Sequence, residues 1–204
     1  MPDIEIVFRI FMPLFMTVFV LVTYTANVAA FRKRYGIDPR VTGPSDPVLY
    51  LCQVYRDVIM IALFAIVFVY AVAPRIYAFL IPIPYLEIPM LRFTGAAAMI
   101  AGACVLRLAQ HQLGPAWRIG IDRSGTPTDL VTTGLYGVSR NPIALGMCTI
   151  AVGIFLALPN VLTFAIASQA VMLFQIRIRI EEEHLGQQHG AAYEAYSQST
   201  PRWI

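Results

Sequence analysis

Two short segments of the chain combine charged side chains with the predicted ends of helices. In the first, residues 133–142 read TGLYGVSRNP. Asn141 followed by Pro142 predicts a helix start, because asparagine can cap free backbone N–H groups and proline is tolerated at the first helical position. The positive end of that helix, with Arg140 beside it, forms a candidate anion site. Anchoring of the helix at the lipid headgroups by Arg140 is an equally open interpretation.

The second segment, residues 177–185, reads RIRIEEEHL. Arg177 and Glu181 are four residues apart, so on a helix they face each other. The adjacent carboxylates of Glu181, Glu182 and Glu183 could accept hydrogen bonds from an ammonium group or from ribose hydroxyls. A purely structural ion pair at a membrane interface explains the same residues, and sequence alone does not separate the two interpretations.

Several common catalytic motifs are absent from the sequence. The three histidines, His111, His184 and His189, lack the spacing of a metal site, and there is no glycine-rich phosphate loop and no GXSXG elbow. We therefore predict no metal. Charged residues within or near apolar stretches remain candidates for function, because an unpaired charge in lipid is costly. Arg107 is one of them.

The elements that carry these residues are predicted to lie in a membrane. Hydrophobic residues make up 58% of the 204 residues and charged residues only 13%, against about 25% charged in soluble domains. A net charge of +3 without a long basic run excludes a nucleic-acid-binding surface. Crossing the bilayer takes about 20 apolar residues, and five stretches qualify: 6–31, 54–73, 90–113, 141–158 and 161–175. The last needs part of residues 176–180 to be long enough.

The predicted fold is an all-α integral membrane protein forming one domain, with three N-terminal spans in residues 1–113 and the candidate site in residues 114–204. Pro159-Asn160 is nearly all that joins spans four and five, so these must form a tight antiparallel hairpin. Arginine and lysine are concentrated after spans one, three and five, which predicts an external N-terminus and a cytoplasmic C-terminus. Glycines 186 and 190 predict two short interfacial helices in the C-terminal segment. There, Leu185 and Tyr196 are interpreted as packing against the membrane surface.

Three runs within residues 112–204, LGPAWRIGID, DLVTTGLYGVSRNPIALG and RIRIEEEHLGQQHGAAYEAYSQSTPRWI, resemble the isoprenylcysteine carboxyl methyltransferase family. That family is similar to the small phospholipid N-methyltransferases of membranes. The resemblance implies that S-adenosylmethionine binds between the cytoplasmic loop and the C-terminal segment. The cofactor residues it implies are Leu130, Val131, Gly134, Tyr136, Arg140, Asn141, Pro142, Glu181 and Glu182.

The implied contacts agree with the charges described above. The cofactor's carboxylate would lie at Arg140 and the helix start, its ammonium and ribose hydroxyls at Glu181 or Glu182, and its sulfonium at the ring of Tyr136. Two positions depart from the family pattern: Ala144 stands where an aromatic residue is usual, and Asn141 stands where eukaryotic members have histidine. The second departure resembles prokaryotic members, and we therefore expect a location in a prokaryotic inner membrane.

The function predicted from these observations is transfer of a methyl group to a lipophilic acceptor, such as the carboxylate of a prenylated cysteine. Arg107 or Arg118 would orient that carboxylate. Three alternatives stay open: a methyltransferase for a lipid amine or thiol, an NADPH-dependent membrane reductase on a related scaffold, and a membrane subunit without enzymatic activity. The oligomeric state is also open, because Gly95, Gly102 and the alanines between them permit close packing within or between chains.

Overall fold

A computed structural model of the chain describes residues 2–41, 47–120 and 128–204, apart from the side chains of Pro2 and Asp3. The regular elements of these residues are helical. The helices are α1 Pro2–Val20, α2 Asn27–Tyr35, α3 Pro47–Val72, α4 Pro74–Tyr77, α5 Pro89–Leu113, α6 Pro142–Ala157, α7 Val161–His189 and α8 Ala191–Ser199. A π-helical turn, Leu21–Ala26, joins α1 to α2, so the two form one continuous helical segment.

The predicted all-α membrane fold is confirmed. Among the described residues, four helical segments are long and apolar enough to cross a bilayer: Ile4–Tyr35, Pro47–Val72, Pro89–Ala116 and Val161–His189. The fourth predicted span, residues 141–158, corresponds to α6, which is apolar but has only 16 residues. Such a helix is about 24 Å long, shorter than the ~30 Å hydrocarbon core. α6 is therefore shorter than the other four apolar segments and shorter than a typical span.

Glycine pairs bring α5 and α6 into direct backbone contact. A Cβ atom placed on Gly102 would lie 2.7 Å from the carbonyl oxygen of Gly146, and one placed on Gly153 would lie 2.7 Å from that of Gly95. The two glycines of each helix are seven residues apart, so both pairs face each other along one antiparallel contact. The small residues of the third predicted span thus pack within the chain.

The predicted hairpin between α6 and α7 is confirmed. Asn160, which is fully buried, begins α7 with a reciprocal cap: its Oδ1 accepts from the Thr163 N–H (2.9 Å), and Thr163 Oγ1 accepts from the Asn160 N–H (3.3 Å). The Asn160 amide also donates to the Tyr77 hydroxyl (3.1 Å). This turn fixes the end of the bundle opposite the candidate site and directs α7 back toward the start of α6.

The C-terminal segment differs from the prediction of two separate short helices. α7 continues through Gly186 to His189, and only Gly190, with φ +54°, interrupts it before α8. A glycine inside a helix costs only about 1 kcal/mol, which a helix already extended by its apolar span can absorb. As a result, residues 181–185 lie on the same rigid helix as the membrane-spanning part of α7.

Candidate functional site

A cavity of about 190 Å³ lies where the end of α5, the start of α6, the end of α7 and α8 meet. Seven of the nine predicted cofactor residues line it: Leu130, Val131, Tyr136, Arg140, Asn141, Pro142 and Glu181. The other two, Gly134 and Glu182, lie outside its lining. The sequence-predicted residues are therefore brought together from segments about 50 residues apart.

The two arginines predicted to orient an acceptor have different positions. Arg118 lines the cavity, with its Nη1 donating to the carbonyls of Pro115 (2.7 Å) and Trp117 (2.9 Å). Arg107 is on α5 and does not line the cavity. Arg177, which was considered only as a partner of Glu181, does line it. The arginine best placed beside the cofactor residues on α7 is thus Arg177.

Gly134 shapes the loop that carries Tyr136. Its φ is +64°, and a Cβ atom there would lie 2.6 Å from the side chain of Gln112. The Gln112 Oε1 accepts a hydrogen bond from the Leu135 N–H (2.9 Å), which ties the loop to the end of α5. Gly134 is required by this conformation rather than by contact with the cavity.

Arg140 is held at the cavity wall by side chains of α7 and α8. Its Nη1 lies 3.2 Å from Glu182 Oε1 and donates to the Tyr193 hydroxyl (3.3 Å). Only 12% of the Arg140 side chain and 13% of the Glu182 side chain are exposed. The Nε of Arg140 is buried and has no hydrogen-bond partner among the described residues. An anionic group in the cavity would supply the missing acceptor.

Asn141 begins α6 as predicted, with Pro142 in the first turn, but it does not cap the helix with its side chain. Its Nδ2 instead donates to the carbonyl oxygen of Arg202 (3.2 Å). The expectation of an asparagine cap was wrong because the end of the chain folds back over the helix start, and the contact with Arg202 holds the Asn141 side chain where its Oδ1 does not cap the helix. Without a side-chain cap, the first N–H groups of α6 are available to a ligand, and Ile143 and Ala144 line the cavity.

Glu181 and Arg177 do not form the ion pair that their spacing allows. Within the part of the chain that the structure describes, neither side chain has an ion-pair partner within 4.0 Å. Both line the cavity, together with Asp129 and His184. The cavity therefore offers a carboxylate and a guanidinium that are not engaged in close ion pairs with described residues, a combination that suits a zwitterionic ligand.

Three tyrosines support the wall of the cavity, and all of them line it. The Tyr196 hydroxyl donates to the carbonyl oxygen of Tyr136 (2.6 Å), and the rings of Tyr193 and Tyr196 pack edge to face with centroids 6.1 Å apart. Burial raises the pKa of Tyr136 above its ordinary value and that of Tyr196 to about 12. These hydroxyls therefore stay protonated at neutral pH. Leu185 also lines the cavity, so the interpretation of Leu185 and Tyr196 as packing residues at the membrane surface was incomplete.

Ala144 packs in a small cluster with Phe174 and Ile178, and the indole of Trp203 contacts this cluster. An aromatic side chain from the end of the chain thus covers the region of the alanine that departs from the family pattern. The sequence analysis missed Trp203 and Arg202, since nothing in their spacing relates them to α6. It also missed Gln112, whose role depends on the loop conformation. Among the described residues, no group of three or more metal-ligating side chains is present.

Comparisons with known proteins agree with this architecture. The structure superposes on that of the eukaryotic intramembrane Ras methyltransferase ICMT (isoprenylcysteine carboxyl methyltransferase) with a TM-score of 0.60 and 22% identity, covering 93% of this chain. The chain spans 64% of the length of that solved structure, and at this identity the likeness shows the fold. No curated protein matches by sequence. The sequence profile of the phospholipid methyltransferase family matches residues 90–192, just over half of the chain. The chain therefore belongs to the phospholipid methyltransferase family and shares its membrane fold with ICMT.

Proposed function

We propose that the protein transfers a methyl group from S-adenosylmethionine to a lipophilic acceptor, and that the cavity at the start of α6 binds the cofactor. The observation that carries this proposal is the pairing of charges in the cavity. The buried Arg140 Nε, which has no hydrogen-bond partner among the described residues, and the N-terminus of α6, which has no side-chain cap from Asn141, form an anion site. Glu181, which has no ion-pair partner within the described part of the chain, adds a carboxylate to the same cavity. The amino-acid part of the cofactor presents the complementary carboxylate and ammonium.

The residues present fit the rest of this cofactor. The apolar side chains of Leu130, Val131 and Leu185 line the same cavity and provide surface for an adenine ring. Tyr136 presents an aromatic side chain on which a sulfonium can be stabilised. Glu181, Asp129 or His184 would accept hydrogen bonds from ribose hydroxyls or the ammonium group.

When bound, S-adenosylmethionine supplies an electrophilic methyl group: a lone pair of the acceptor forms the new bond to carbon as the S–C bond breaks, and the bonding pair stays on sulfur. The side chains of this chain have to hold the reactants in line and exclude water. A carboxylate or thiolate acceptor needs no general base, which agrees with a site built of arginines, carboxylates and tyrosines.

A second, much smaller cavity marks the apolar side of the site from which a lipophilic acceptor would approach. It has a volume of about 30 Å³ and lies between α1, α3, α6 and α7, with apolar walls apart from Arg56. Met16, Met60 and Met147 form part of these walls and can adapt to a flexible chain. Phe174 lines both cavities, so an acyl or prenyl chain between the helices would place its head group beside the cofactor site.

We assign the orientation of an acceptor carboxylate to Arg177, with Arg118 next to the same cavity. Both line it, whereas Arg107 does not. The basic residues gathered at this end of the bundle support a cytoplasmic site with the N-terminus outside. The proposed location in a prokaryotic inner membrane rests on Asn141 alone.

The proposal is tested by methyl transfer from labelled S-adenosylmethionine with purified protein in vesicles. Candidate acceptors are a prenylated cysteine analogue, a long-chain fatty acid, a long-chain thiol and an aminolipid, each offered separately. We expect label in the organic-soluble product of at least one acceptor and its loss in Arg140→Ala. Protein that is stabilised by NADPH and transfers no label to any acceptor would contradict the proposal and favour a reductase.

A further inference from the structure

The last residues of the chain lie across the start of α6, and we call residues 200–203 the C-terminal strap. The carbonyl oxygen of Pro201 accepts from the Arg140 N–H (3.0 Å). The carbonyl oxygen of Arg202 accepts from the Ser139 hydroxyl (3.3 Å) as well as from Asn141 Nδ2. Trp203 packs in the cluster of Ala144. The strap is thus held at the start of α6 by hydrogen bonds to its backbone carbonyls and by packing of its Trp203 side chain.

The side chain of Arg202 also reaches α7. Its Nε lies 3.0 and 3.1 Å from the two oxygens of Glu182, and its Nη2 lies 2.7 Å from Oε2, which is a bidentate ion pair. Glu182 Oε1 is in turn 3.2 Å from Nη1 of Arg140. The Glu182 carboxylate is thus fixed between two guanidinium groups, one from the strap and one at the cavity wall.

This arrangement restricts the conformation of Arg140. Arginine has many rotamers, and a single charged contact leaves several of them accessible. Here Nη1 is occupied by Glu182 and Tyr193, which leaves Nε unpartnered. Glu182 can fix Arg140 only while its own carboxylate is held in place, and Arg202 is the group that holds it from the other side.

We propose that Arg202 and Glu182 are positioning residues that orient Arg140 toward the carboxylate of the cofactor, and that Glu182 is not itself a cofactor ligand. This inference rests on the proposed function, since it concerns the same site. It makes the strap part of the cofactor site although it does not line the cavity. It also separates Glu182 from Glu181, which lines the cavity directly.

Glu182→Gln decides between positioning and simple electrostatics. Glutamine is nearly the same size as glutamate and keeps a hydrogen-bond acceptor, so the variant is expected to fold. If Glu182 acted only through its charge, its removal would make the site more positive and tighten binding of the cofactor's carboxylate. If Glu182 positions Arg140, the variant binds more weakly. The two effects have opposite signs.

The experiment measures dissociation constants of S-adenosylmethionine and of decarboxylated S-adenosylmethionine, which lacks only the carboxylate, with full-length protein in detergent. We expect Glu182→Gln and Arg202→Gln each to weaken binding of intact S-adenosylmethionine about tenfold, the loss typical of one charge-assisted hydrogen bond. Binding of the decarboxylated form should change less than about twofold. The double variant should be no worse than the weaker-binding single variant, because both act through Arg140. Arg202→Lys keeps the charge without the bidentate geometry and should fall between wild type and Arg202→Gln.

Arg179→Gln is the matched control, because Arg179 is exposed on α7 and, among the described residues, its side chain donates only to the carbonyl of Gln175. Three results would overturn the inference: equally weakened binding of the intact and the decarboxylated cofactor, tighter binding of the intact cofactor to Glu182→Gln, or additive losses of affinity in the double variant. Failure of the wild-type protein to bind S-adenosylmethionine would instead contradict the proposed function, so the two failures are distinguishable.

Discussion

Glu181 and Glu182 are adjacent on α7, yet only Glu181 lines the cavity, whereas both oxygens of Glu182 are bound by Arg202 and one also by Arg140. Successive residues of a helix point about 100° apart, so two adjacent carboxylates can face two different surfaces. In this protein one surface is the cavity and the other is the junction between α7, α8 and the C-terminal strap. The two neighbouring glutamates therefore have different surroundings, and we expect them to act differently.

Glu181→Gln is expected to weaken binding of S-adenosylmethionine about tenfold, because a charged acceptor for the ammonium or ribose is replaced by a neutral one. Glu183→Gln is the control, since Glu183 is exposed and, within the described part of the chain, its side chain accepts a hydrogen bond only from Gln187. Calorimetric titration of both variants measures the effect. Equal affinities for the two variants would contradict a ligand role for Glu181.

Arg177→Gln is expected to lower kcat/KM about a hundredfold for an acceptor that ends in a carboxylate, through loss of a charge-assisted contact in the reacting complex. Arg107→Gln should leave it near the wild-type value, because Arg107 lies outside the cavity lining. Steady-state kinetics with one carboxylate acceptor compares the pair. A larger effect from Arg107→Gln would show that the acceptor approaches along α5 instead.

Gly134→Ala is expected to destabilise the protein by about 1–3 kcal/mol, because φ is +64° and the new Cβ would clash with Gln112. Gly186→Ala should be neutral or stabilise by up to about 1 kcal/mol, since Gly186 is helical and its nearest atom to a new Cβ is 3.8 Å away. Thermal unfolding in detergent distinguishes them. Similar melting temperatures for the two variants would argue against the described loop conformation.

Gly102→Leu is expected to lower the melting temperature strongly. Even a Cβ atom added at Gly102 would lie 2.7 Å from the carbonyl oxygen of Gly146, so a leucine side chain would force α5 and α6 apart. Ala97→Leu on the exposed face of the same helix is the control and should have little effect. The same unfolding assay applies. Tolerance of Gly102→Leu would mean that this glycine face is not buried against α6.

Much of the fold was accessible from the sequence. Apolar stretches of span length predict the helices, and the short Pro159-Asn160 connection predicts the hairpin. The proline at the start of α6 indicates the end of the bundle at which the site is formed. These signals are local in the sequence. They predict helices well in a membrane, because every backbone polar group in lipid must be hydrogen-bonded within the helix. The seven residues that were predicted to bind a cofactor and that line the cavity came from motif resemblance combined with those elements.

The remainder depends on contacts between distant segments. The side chain of Asn141 was expected to cap α6, but Arg202, sixty-one residues later in the chain, accepts its hydrogen bond. The separation of Glu181 from Glu182 depends on where α8 places the strap, and Gly134 is explained only by the position of Gln112. Such contacts leave no periodic or spacing signal in a single sequence.

The most direct test of the cofactor site is calorimetric titration of S-adenosylmethionine into detergent-purified protein, with Arg140→Ala and Arg179→Ala beside the wild type. The account predicts saturable binding to the wild type and to Arg179→Ala, and binding at least about tenfold weaker to Arg140→Ala, which loses the charged partner of the cofactor's carboxylate. Absence of binding to folded wild-type protein, or affinity unchanged by Arg140→Ala, would contradict it.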